Sequence, residues 1–369
     1  MQTNSSQSFF ASTYAAARAG FLEAVRMRGV PPESHVHPVA RGAHDEALAM
    51  DAALVGDPDG ASLLIVTSGT HGVEGFCGSG CQRALLADDE LLRRAASGGV
   101  AILLVHAVNP YGFSHLRRAN EDNVDLNRNF VDFDAPRQLN EAYAELHDLL
   151  VPREWPPTEA NRAALAAREA EMGTAAFRAV VTSGQAVRAD GLFYSGSKPT
   201  WSNATLRDVV RRHGRSRTRI GWIDVHTGLG PTGHGEKIFA GINDPVELAR
   251  ARAWYGADVM SYYDGGSASA EVKGPITMCV YDECPGAEPT GMALEYGTRP
   301  MEAVLGAIRG DHWLETHPDA PAAARAAVKQ AMRDAFYVDT DEWRGMVLGQ
   351  ARTAILQAVT ALSAARTGG

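Results

Sequence analysis

The chain lacks several features that would place it in other classes of protein. No apolar run approaches the roughly 18 residues that a membrane-spanning helix needs. Basic residues are not in excess, since 35 Lys and Arg stand against 44 Asp and Glu, and the formal net charge of −9 argues against nucleic acid as a partner. The stretch 1–8 has neither the basic nor the apolar region of a signal peptide, so we expect a cytoplasmic protein.

Cysteine is also scarce, with four in 369 residues. Cys77 and Cys81 form a C-x3-C pair, and Cys279 and Cys284 form a C-x4-C pair, which are spacings that a structural zinc site could use. Both pairs lie in apolar stretches, which favours buried free thiols. No Gly-x-Ser-x-Gly elbow is present, so a hydrolase with a serine nucleophile has little support.

The composition that remains is that of an ordinary globular protein, 45% hydrophobic and 21% charged. Alternating strand and helix patterns predict an α/β fold, a three-layer α/β/α domain around a mixed twisted sheet. Strands are expected at 48–54, 62–67, 100–105, 219–225, 237–242, 276–281 and 292–296. Helices are expected at 8–28, 82–94, 139–150, 158–172, 300–309, 320–334 and 341–363, with another opening at Asp244. We interpret 1–369 as one domain, with 131–216 as a helical insertion or cap.

The turn after the predicted strand 62–67 carries His71 and Glu74, which are three residues apart. Side chains at this spacing project to the same side of a turn or helix start. Imidazole nitrogen and carboxylate oxygen are both good zinc ligands. In a chain with 12 His, the pair alone also fits a polar helix start without metal.

Further polar clusters stand at or near the ends of other predicted strands: the segment from Arg118 to Arg128, then His226, then Glu295. Functional groups gather at the carboxyl ends of strands in open α/β sheets. His226 would be a third zinc ligand that leaves one position open for water, and Glu295 could accept a proton from that water. Each residue alone also fits a hydrogen-bonded or ion-paired structural role, and only their joint occurrence favours a metal site.

In this order the residues resemble the zinc-carboxypeptidase superfamily, which includes succinylglutamate desuccinylase and aspartoacylase. The family order is His-x-x-Glu, an Arg, Asp-x-Asn-Arg, a distant His, and a Glu at a strand end. The matching positions are His71-x-x-Glu74, Arg118, Asp125-Leu-Asn127-Arg128, Asp224-Val-His226 and Leu294-Glu295. The segment 118–130 is the most specific part. The chain looks most like a bacterial, carboxypeptidase-like DUF2817 branch, from which the insertion at 131–216 departs.

The resemblance implies a zinc site and its immediate support. His71, Glu74 and His226 would hold Zn²⁺ as the cofactor. Asp125 would accept a hydrogen bond from His71 and so fix the tautomer of that imidazole. Glu295 would be the general base for the zinc-bound water and then the general acid for the leaving amine.

The resemblance also implies groups that act on the substrate. Arg118 would polarise the scissile carbonyl and stabilise the oxyanion. Asn127 and Arg128 would clamp a substrate carboxylate, a shape that the guanidinium fork matches. Arg117 is a further candidate for substrate binding and a rival to Arg118, but Arg118 keeps the family's spacing to Arg128.

The predicted function is zinc-dependent hydrolysis of an amide bond in a small molecule or short peptide with a free carboxylate. A metallocarboxypeptidase is the first choice. Carboxypeptidases carry a substrate-contacting tyrosine, and none of Tyr262, Tyr263 and Tyr281 lies in a motif that can be aligned with it. An N-acyl-amino-acid deacylase of the desuccinylase type is therefore the alternative. A non-catalytic pocket protein is a second alternative, and the presence of both the ligands and Glu295 argues against it.

Overall fold

A mixed sheet of seven strands organises the computed structural model, which describes residues 6–136 and 139–364. The strands are β1 Glu33–Arg41, β2 Ala47–Val55, β3 Ser62–Ser68, β4 Val100–His106, β5 Arg219–Thr227, β6 Gly235–Phe239 and β7 Glu288–Tyr296. Their order across the sheet is β1-β2-β4-β3-β5-β7-β6. The four central strands are parallel, and β1, β2 and β6 add antiparallel pairs at the edges. The carboxyl ends of β4, β3, β5 and β7 therefore meet at one edge of the sheet.

Thirteen α-helices are present among the described residues. They are α1 Tyr14–Met27, α2 Gly75–Ala87, α3 Asp89–Ser97, α4 Pro110–Ser114, α5 Glu141–Leu150, α6 Glu159–Met172, α7 Thr174–Thr182, α8 Trp201–Gly214, α9 Pro245–Tyr255, α10 Cys279–Glu283, α11 Met301–Thr316, α12 Ala322–Phe336 and α13 Asp341–Ala364. None of them is long and apolar enough to cross a membrane. All four cysteines are buried and unbridged, as their apolar contexts predict.

The sheet is covered on both faces, because alternate residues of a strand point to opposite sides. Leu64 and Val66 of β3 pack into one hydrophobic cluster together with residues of α1, α2 and α13. Leu63 and Ile65 pack into another, which includes residues of α8 and α10. The result is the predicted three-layer α/β/α arrangement, and its central strands are continuous apolar runs because both faces are buried.

Helices α5, α6 and α7 lie in the region that was interpreted as an insertion. Two side chains of α11 bind this region: Arg309 Nε donates to the carbonyl of Leu150 at 2.9 Å, and Trp313 Nε1 donates to the carbonyl of Arg153 at 3.2 Å. The part of the interpreted insertion around Leu150 and Arg153 thus packs on α11, whereas α8, which lies within the same bounds, packs on the sheet. The description of the insertion as a cap within one domain remains a prediction.

The predicted strand at 276–281 is wrong. The chain there forms a short 3-10 helix, Ile276–Met278, followed by α10. Ile276, Cys279 and Val280 are buried at positions i, i+3 and i+4, which is a helical period hidden in a short apolar run. Strand β1 was not predicted, since it is an edge strand with a largely exposed, His-containing sequence.

Candidate metal centre

Three side chains from distant parts of the chain converge at the carboxyl edge of the sheet. His71 follows β3, Glu74 precedes α2, and His226 lies on β5. The Nδ1 atoms of His71 and His226 each lie 2.8 Å from a different carboxylate oxygen of Glu74. One ligand atom from each residue lies within 4.8 Å of the others, and all three residues are buried. Two imidazoles and a carboxylate arranged in this way can hold a divalent cation.

The turn that carries His71 and Glu74 is held by the loop after β4. The amides of Gly72 and Val73 donate to the carbonyls of Arg118 and Arg117 at 3.3 and 2.9 Å. A Cβ atom at position 72 would lie 2.0 Å from the carbonyl carbon of Gly112, so only glycine permits this approach. The backbone therefore sets the position of two of the converging side chains.

A carboxylate supports the outer nitrogen of each imidazole. His71 Nε2 lies 3.2 Å from Asp125 Oδ1, and His226 Nε2 lies 2.5 Å from Asp224 Oδ2. The hydroxyls of Thr67 and Thr70 donate to Asp224 Oδ1 at 2.7 and 2.8 Å. Because Nε2 of each imidazole contacts a carboxylate, Nδ1 is the atom that remains available to bind a metal ion. The same contacts hold each ring in a fixed orientation.

The role of Asp224 was not predicted, although the sequence contains its signal. Asp224 and His226 are two residues apart on β5, so both side chains point to the same face of the sheet. An acidic residue at this spacing from a ligand histidine is in position to bind its second nitrogen.

The charges of the cluster strongly affect one another. Burial alone would raise the pKa of Glu74, but the imidazoles of His71 and His226 lower it to about 2. Burial would lower the pKa of His226, but the carboxylates of Asp224 and Glu74 raise it well above its usual value. Burial would also raise the pKa of Asp125, yet Arg118, Arg128 and His71 hold it well below its usual range. The cluster therefore keeps Glu74 and Asp125 ionised and attracts positive charge.

We expect Asp224→Asn to weaken zinc binding by about 10–100-fold, because the variant removes the charge that orients His226 and raises its basicity. The measurement is competition with a chromophoric zinc chelator. Asp208→Asn, on an exposed position of α8, is the control and should bind zinc as the wild type does. Equal affinities in the two variants would contradict a supporting role for Asp224.

Glu295 lies beside the cluster, on the strand next to His226. The two residues are register partners in the parallel pair β5–β7. Glu295 Oε1 accepts a hydrogen bond from the amide of Leu229 at 3.0 Å. Burial, followed by the nearby charge of Glu74, raises the pKa of Glu295 to about 8. A carboxylate with a raised pKa next to a metal site is suited to proton transfer.

Arg118 reaches the cluster from the loop after β4. Its Nε donates to Asp125 Oδ2 at 2.9 Å, and its Nη1 lies 3.5 Å from Glu74 Oε1. The guanidinium lies over the ring of Phe193, with 5.2 Å between its carbon and the ring centroid. These contacts hold a positive charge next to the candidate metal ligands.

Asn127 and Arg128 also line the cavity at the cluster. Asn127 Nδ2 lies 3.2 Å from His226 Nε2, while its Oδ1 accepts a hydrogen bond from the amide of Ile276 at 3.0 Å. Arg128 donates from Nε and Nη2 to the carbonyl of Thr182 and from Nη1 to the carbonyl of Asn127. A guanidinium has five N–H groups, so Arg128 keeps donors for a further partner.

Arg117 is directed away from the cluster. Its buried guanidinium forms ion pairs at 3.1 Å with the buried Asp311 and the exposed Glu315, both on α11, and it does not line the cavity. The structure thus separates Arg117, predicted as a possible substrate-binding residue, from its neighbour Arg118. The ion pairs anchor the loop that carries Arg118.

The cluster opens into a cavity of about 630 Å³, which is within the usual size range of small-molecule sites. Its lining includes His71, Glu74, His226, Glu295, Arg118, Asn127, Arg128 and Tyr262. The hydroxyls of the other two candidate tyrosines are bound elsewhere: Tyr263 donates to the carbonyl of Gly241 and Tyr281 contacts Glu247. Tyr262 is therefore the candidate tyrosine that meets the site.

The family model described as "Protein of unknown function (DUF2817)" matches residues 10–350. The chain belongs to the DUF2817 family. A search of curated proteins finds no match to this DUF2817 chain. The predicted DUF2817 branch is confirmed.

Solved structures show which fold this DUF2817 protein has. Carboxypeptidase A from Helicoverpa armigera is 12% identical, with a TM-score of 0.53 over 99% of this chain and 78% of the other. Thrombin activatable fibrinolysis inhibitor is 11% identical, with a TM-score of 0.54 over 96% of this chain and 78% of the other. At such identities the similarity shows the fold alone, and it confirms the predicted carboxypeptidase-like α/β architecture.

Proposed function

We propose that the protein is a metal-dependent hydrolase that cleaves an amide bond in a substrate with a free carboxylate, and that it acts as a metallocarboxypeptidase. The main support is the convergence of His71, Glu74 and His226 in one cavity with Glu295 beside them. Arg118 adds a fixed positive charge at the same place. Water adds across the C–N bond in this reaction, which yields a carboxylic acid and an amine.

The donor set fits zinc. It consists of two imidazole nitrogens and one carboxylate, each imidazole is backed by a second carboxylate, and a catalytic zinc site uses three such protein ligands. His71, Glu74 and His226 would hold the ion. When bound, zinc would supply Lewis-acid chemistry, which polarises a carbonyl and lowers the pKa of water.

The remaining chemistry belongs to side chains of the chain itself. Glu295 takes a proton from the attacking water and returns it to the leaving amine. Arg118 stabilises the negative charge that develops on the carbonyl oxygen. Asn127 and Arg128 bind the carboxylate and set the scissile bond in line with Glu295.

An N-acyl-amino-acid deacylase is the second candidate. The two activities differ in the part of the substrate that is recognised, not in the bond that is broken. Tyr262 on the cavity wall supports the carboxypeptidase, since that class uses a tyrosine at the substrate. The cavity volume of about 630 Å³, which leaves room for an acyl group, supports the deacylase.

A substrate panel tests the proposal. Short peptides, N-acyl amino acids and simple esters would be assayed with the zinc-loaded protein, with and without a chelator. We expect cleavage of carboxylate-bearing amides that the chelator abolishes and added zinc restores. Cleavage that persists in the chelator would rule out the metal mechanism, and the preferred member of the panel would separate the two candidates.

Replacing Arg128 by alanine should reduce kcat/KM on carboxylate-bearing amides by about 10–100-fold, because a hydrogen bond to a charged group is worth about 1.5–3 kcal/mol. The same amide with its carboxylate replaced by a carboxamide should lose little. Zinc content is measured in parallel, since Arg128 also lies near Asp125. Arg153→Ala, at an exposed position, is the control. An equal loss on both substrates would contradict the clamp.

A further inference from the structure

One aromatic ring contacts both of the arginines that the proposed function assigns to the substrate. The guanidinium carbon of Arg118 lies 5.2 Å from the centroid of the Phe193 ring, and that of Arg128 lies 5.9 Å from it. Phe193 is buried and lines the cavity. A cation over an aromatic face within about 6 Å is attracted to the ring, and more strongly where water is excluded. The ring therefore binds two positive charges at once.

The two arginines need shared partners, because like charges that lie close together repel each other. Burial lowers the pKa of Arg128, the carboxylate of Asp125 opposes this, and the charge of Arg118 lowers the pKa further. Asp125 contacts both cations: its Oδ2 lies 2.9 Å from Arg118 Nε, and its Oδ1 lies 3.8 Å from Arg128 Nη1. Phe193 is the second group that the pair shares. The carboxylate and the ring together define where the two guanidiniums lie.

The backbone of Phe193 has an unusual conformation. Its φ angle is 53°, in the left-handed region that bulky residues rarely adopt. Such conformations persist only where the surrounding structure holds them, and they cluster at functional sites. Glycine or asparagine would fit this backbone more easily. The phenyl ring is therefore present in spite of the local conformation, which points to a use for the ring itself.

Hydrogen bonds from two other segments fix the turn that carries Phe193. The amide of Leu192 donates to the hydroxyl of Tyr143 on α5 at 2.6 Å. The amide of Asp125 donates to the carbonyl of Tyr194 at 2.8 Å. The turn is thus joined both to a buried helix side chain and to the loop that carries the two arginines.

The same part of the chain also packs on the side chain of Arg128. Arg128 donates from Nε and Nη2 to the carbonyl of Thr182, the last residue of α7. A Cβ atom at position 184 would lie 2.7 Å from Arg128 Cδ, and Gly184, with a φ of 104°, allows this approach. Thr182, Gly184 and Phe193 all lie within 131–216. The region interpreted as an insertion therefore supplies the contacts that position a proposed substrate-binding residue.

We infer that Phe193 is a positioning residue, which fixes the separation between the guanidiniums of Arg118 and Arg128. The inference rests on the proposed function, in which Arg118 binds the carbonyl oxygen and Arg128 binds the carboxylate. A fixed separation selects substrates by the number of bonds between the scissile carbonyl and the carboxylate. A displacement of about 1 Å can cost about 100-fold in rate, so amides of α- and β-amino acids, which differ by one methylene at this place, should be discriminated.

Kinetics on two amides test this positioning role. The best acyl group of the substrate panel is joined to L-alanine and to β-alanine, which differ in the distance of the carboxylate from the amide. The zinc-loaded wild type should cleave one of them with a kcat/KM about 10-fold or more above that of the other. In Phe193→Leu this ratio should fall toward one, because Arg128 is no longer held in register with Arg118. A packing role alone would slow both substrates equally and leave the ratio unchanged.

Two further variants assign the effect to the face of the ring. Phe193→Tyr keeps the ring and should restore the wild-type ratio. Phe10→Leu is the matched control: the guanidinium of Arg344 lies over the Phe10 ring at 5.9 Å, outside the cavity, so the same substitution there should leave the ratio intact. Thermal melts show whether each variant is folded, and Phe193→Met replaces Phe193→Leu if the latter is not.

Crystal structures of the wild type and of Phe193→Leu give a readout that does not depend on activity. We expect at least one of the two guanidiniums to move by about 1 Å or more, or to lose a defined position, in the variant. Zinc should stay bound, because Phe193 is not one of the three converging donors.

Four results would overturn the inference: a wild type that does not discriminate between the two amides, an unchanged ratio in the folded Phe193 variant, a ratio that falls equally in Phe10→Leu, or guanidiniums that keep their positions. Loss of zinc in Phe193→Leu would also count against it, since Phe193 would then act on the metal ligands. Failure of the proposed function looks different. In that case the wild type cleaves neither amide, while the guanidiniums still move in Phe193→Leu.

Discussion

Replacing Glu295 by glutamine should lower kcat by about 10²–10⁴-fold and leave zinc bound. In the proposed mechanism the carboxylate takes a proton from the attacking water, and the amide that replaces it has the same shape but no basic oxygen. Glu295 is not one of the three converging donors, so the proposed metal ligands stay intact. The loss should fall on kcat more than on KM, since the missing interaction acts in the transition state.

Elemental analysis measures whether zinc stays bound. Steady-state kinetics on the best substrate of the panel measure the fall in kcat. Glu302→Gln is the matched control, because it makes the same substitution at an exposed glutamate on the cavity rim and should retain activity. An unchanged kcat in Glu295→Gln would remove Glu295 from the mechanism. Loss of zinc would instead give it a role in holding the ion.

The dependence on pH gives a second readout of the same group. A general base works only when deprotonated, so kcat/KM should rise with pH through the pKa of Glu295. Burial and the charge of Glu74 raise that pKa in the metal-free site, and a bound cation would lower it again. The acidic limb of the wild-type profile should be absent from the residual activity of Glu295→Gln.

The sequence predicted the parts of the fold that depend on local pattern. Strands β3, β4, β5 and β7 are apolar runs, and each of the first three was placed to within two residues of its observed ends. Because parallel strands end at one edge, placing His71 and His226 at strand ends was enough to predict that they meet. The segment 276–281 was wrongly predicted to be a strand. Six residues are too few for the pattern of apolar and polar side chains to distinguish a buried helix from a strand.

Other features depend on packing between distant segments, which local pattern does not record. Arg117 and Arg118 are neighbours in sequence, yet Asp311 and Glu315 of α11 draw Arg117 away while Asp125 holds Arg118 at the site. The helical lining of the cavity arises in the same way: Leu165 of α6, Phe177 of α7 and Leu305 of α11 come together only in the folded chain. The spacing of a motif could indicate which residues belong to a site. It could not show which partners from distant segments would bind those residues instead.

Replacing His226 by alanine is expected to remove zinc and activity together. His226 is the one proposed ligand that lies on β5, so the two left would both belong to the single turn at 71–74. The loss of affinity should exceed the factor of about 10–100 that an outer partner of a ligand contributes. Removal of the imidazole also takes one ionic partner from the buried carboxylates of Glu74 and Asp224, which should lower the stability of the metal-free protein by about 3–5 kcal/mol.

Thermal denaturation with and without zinc separates these two effects. The wild type should gain about 2.7 kcal/mol of stability at a zinc concentration of 100 times its Kd, because the ion binds only the folded chain. His226→Ala should melt earlier than the wild type and gain nothing from zinc. His234→Ala is the control: that histidine is exposed and lies outside the cluster, so this variant should keep the full zinc response. A zinc-dependent rise in Tm that survives in His226→Ala would mean that the ion is held elsewhere, and the catalytic assignment of His71, Glu74 and Glu295 would then have no basis.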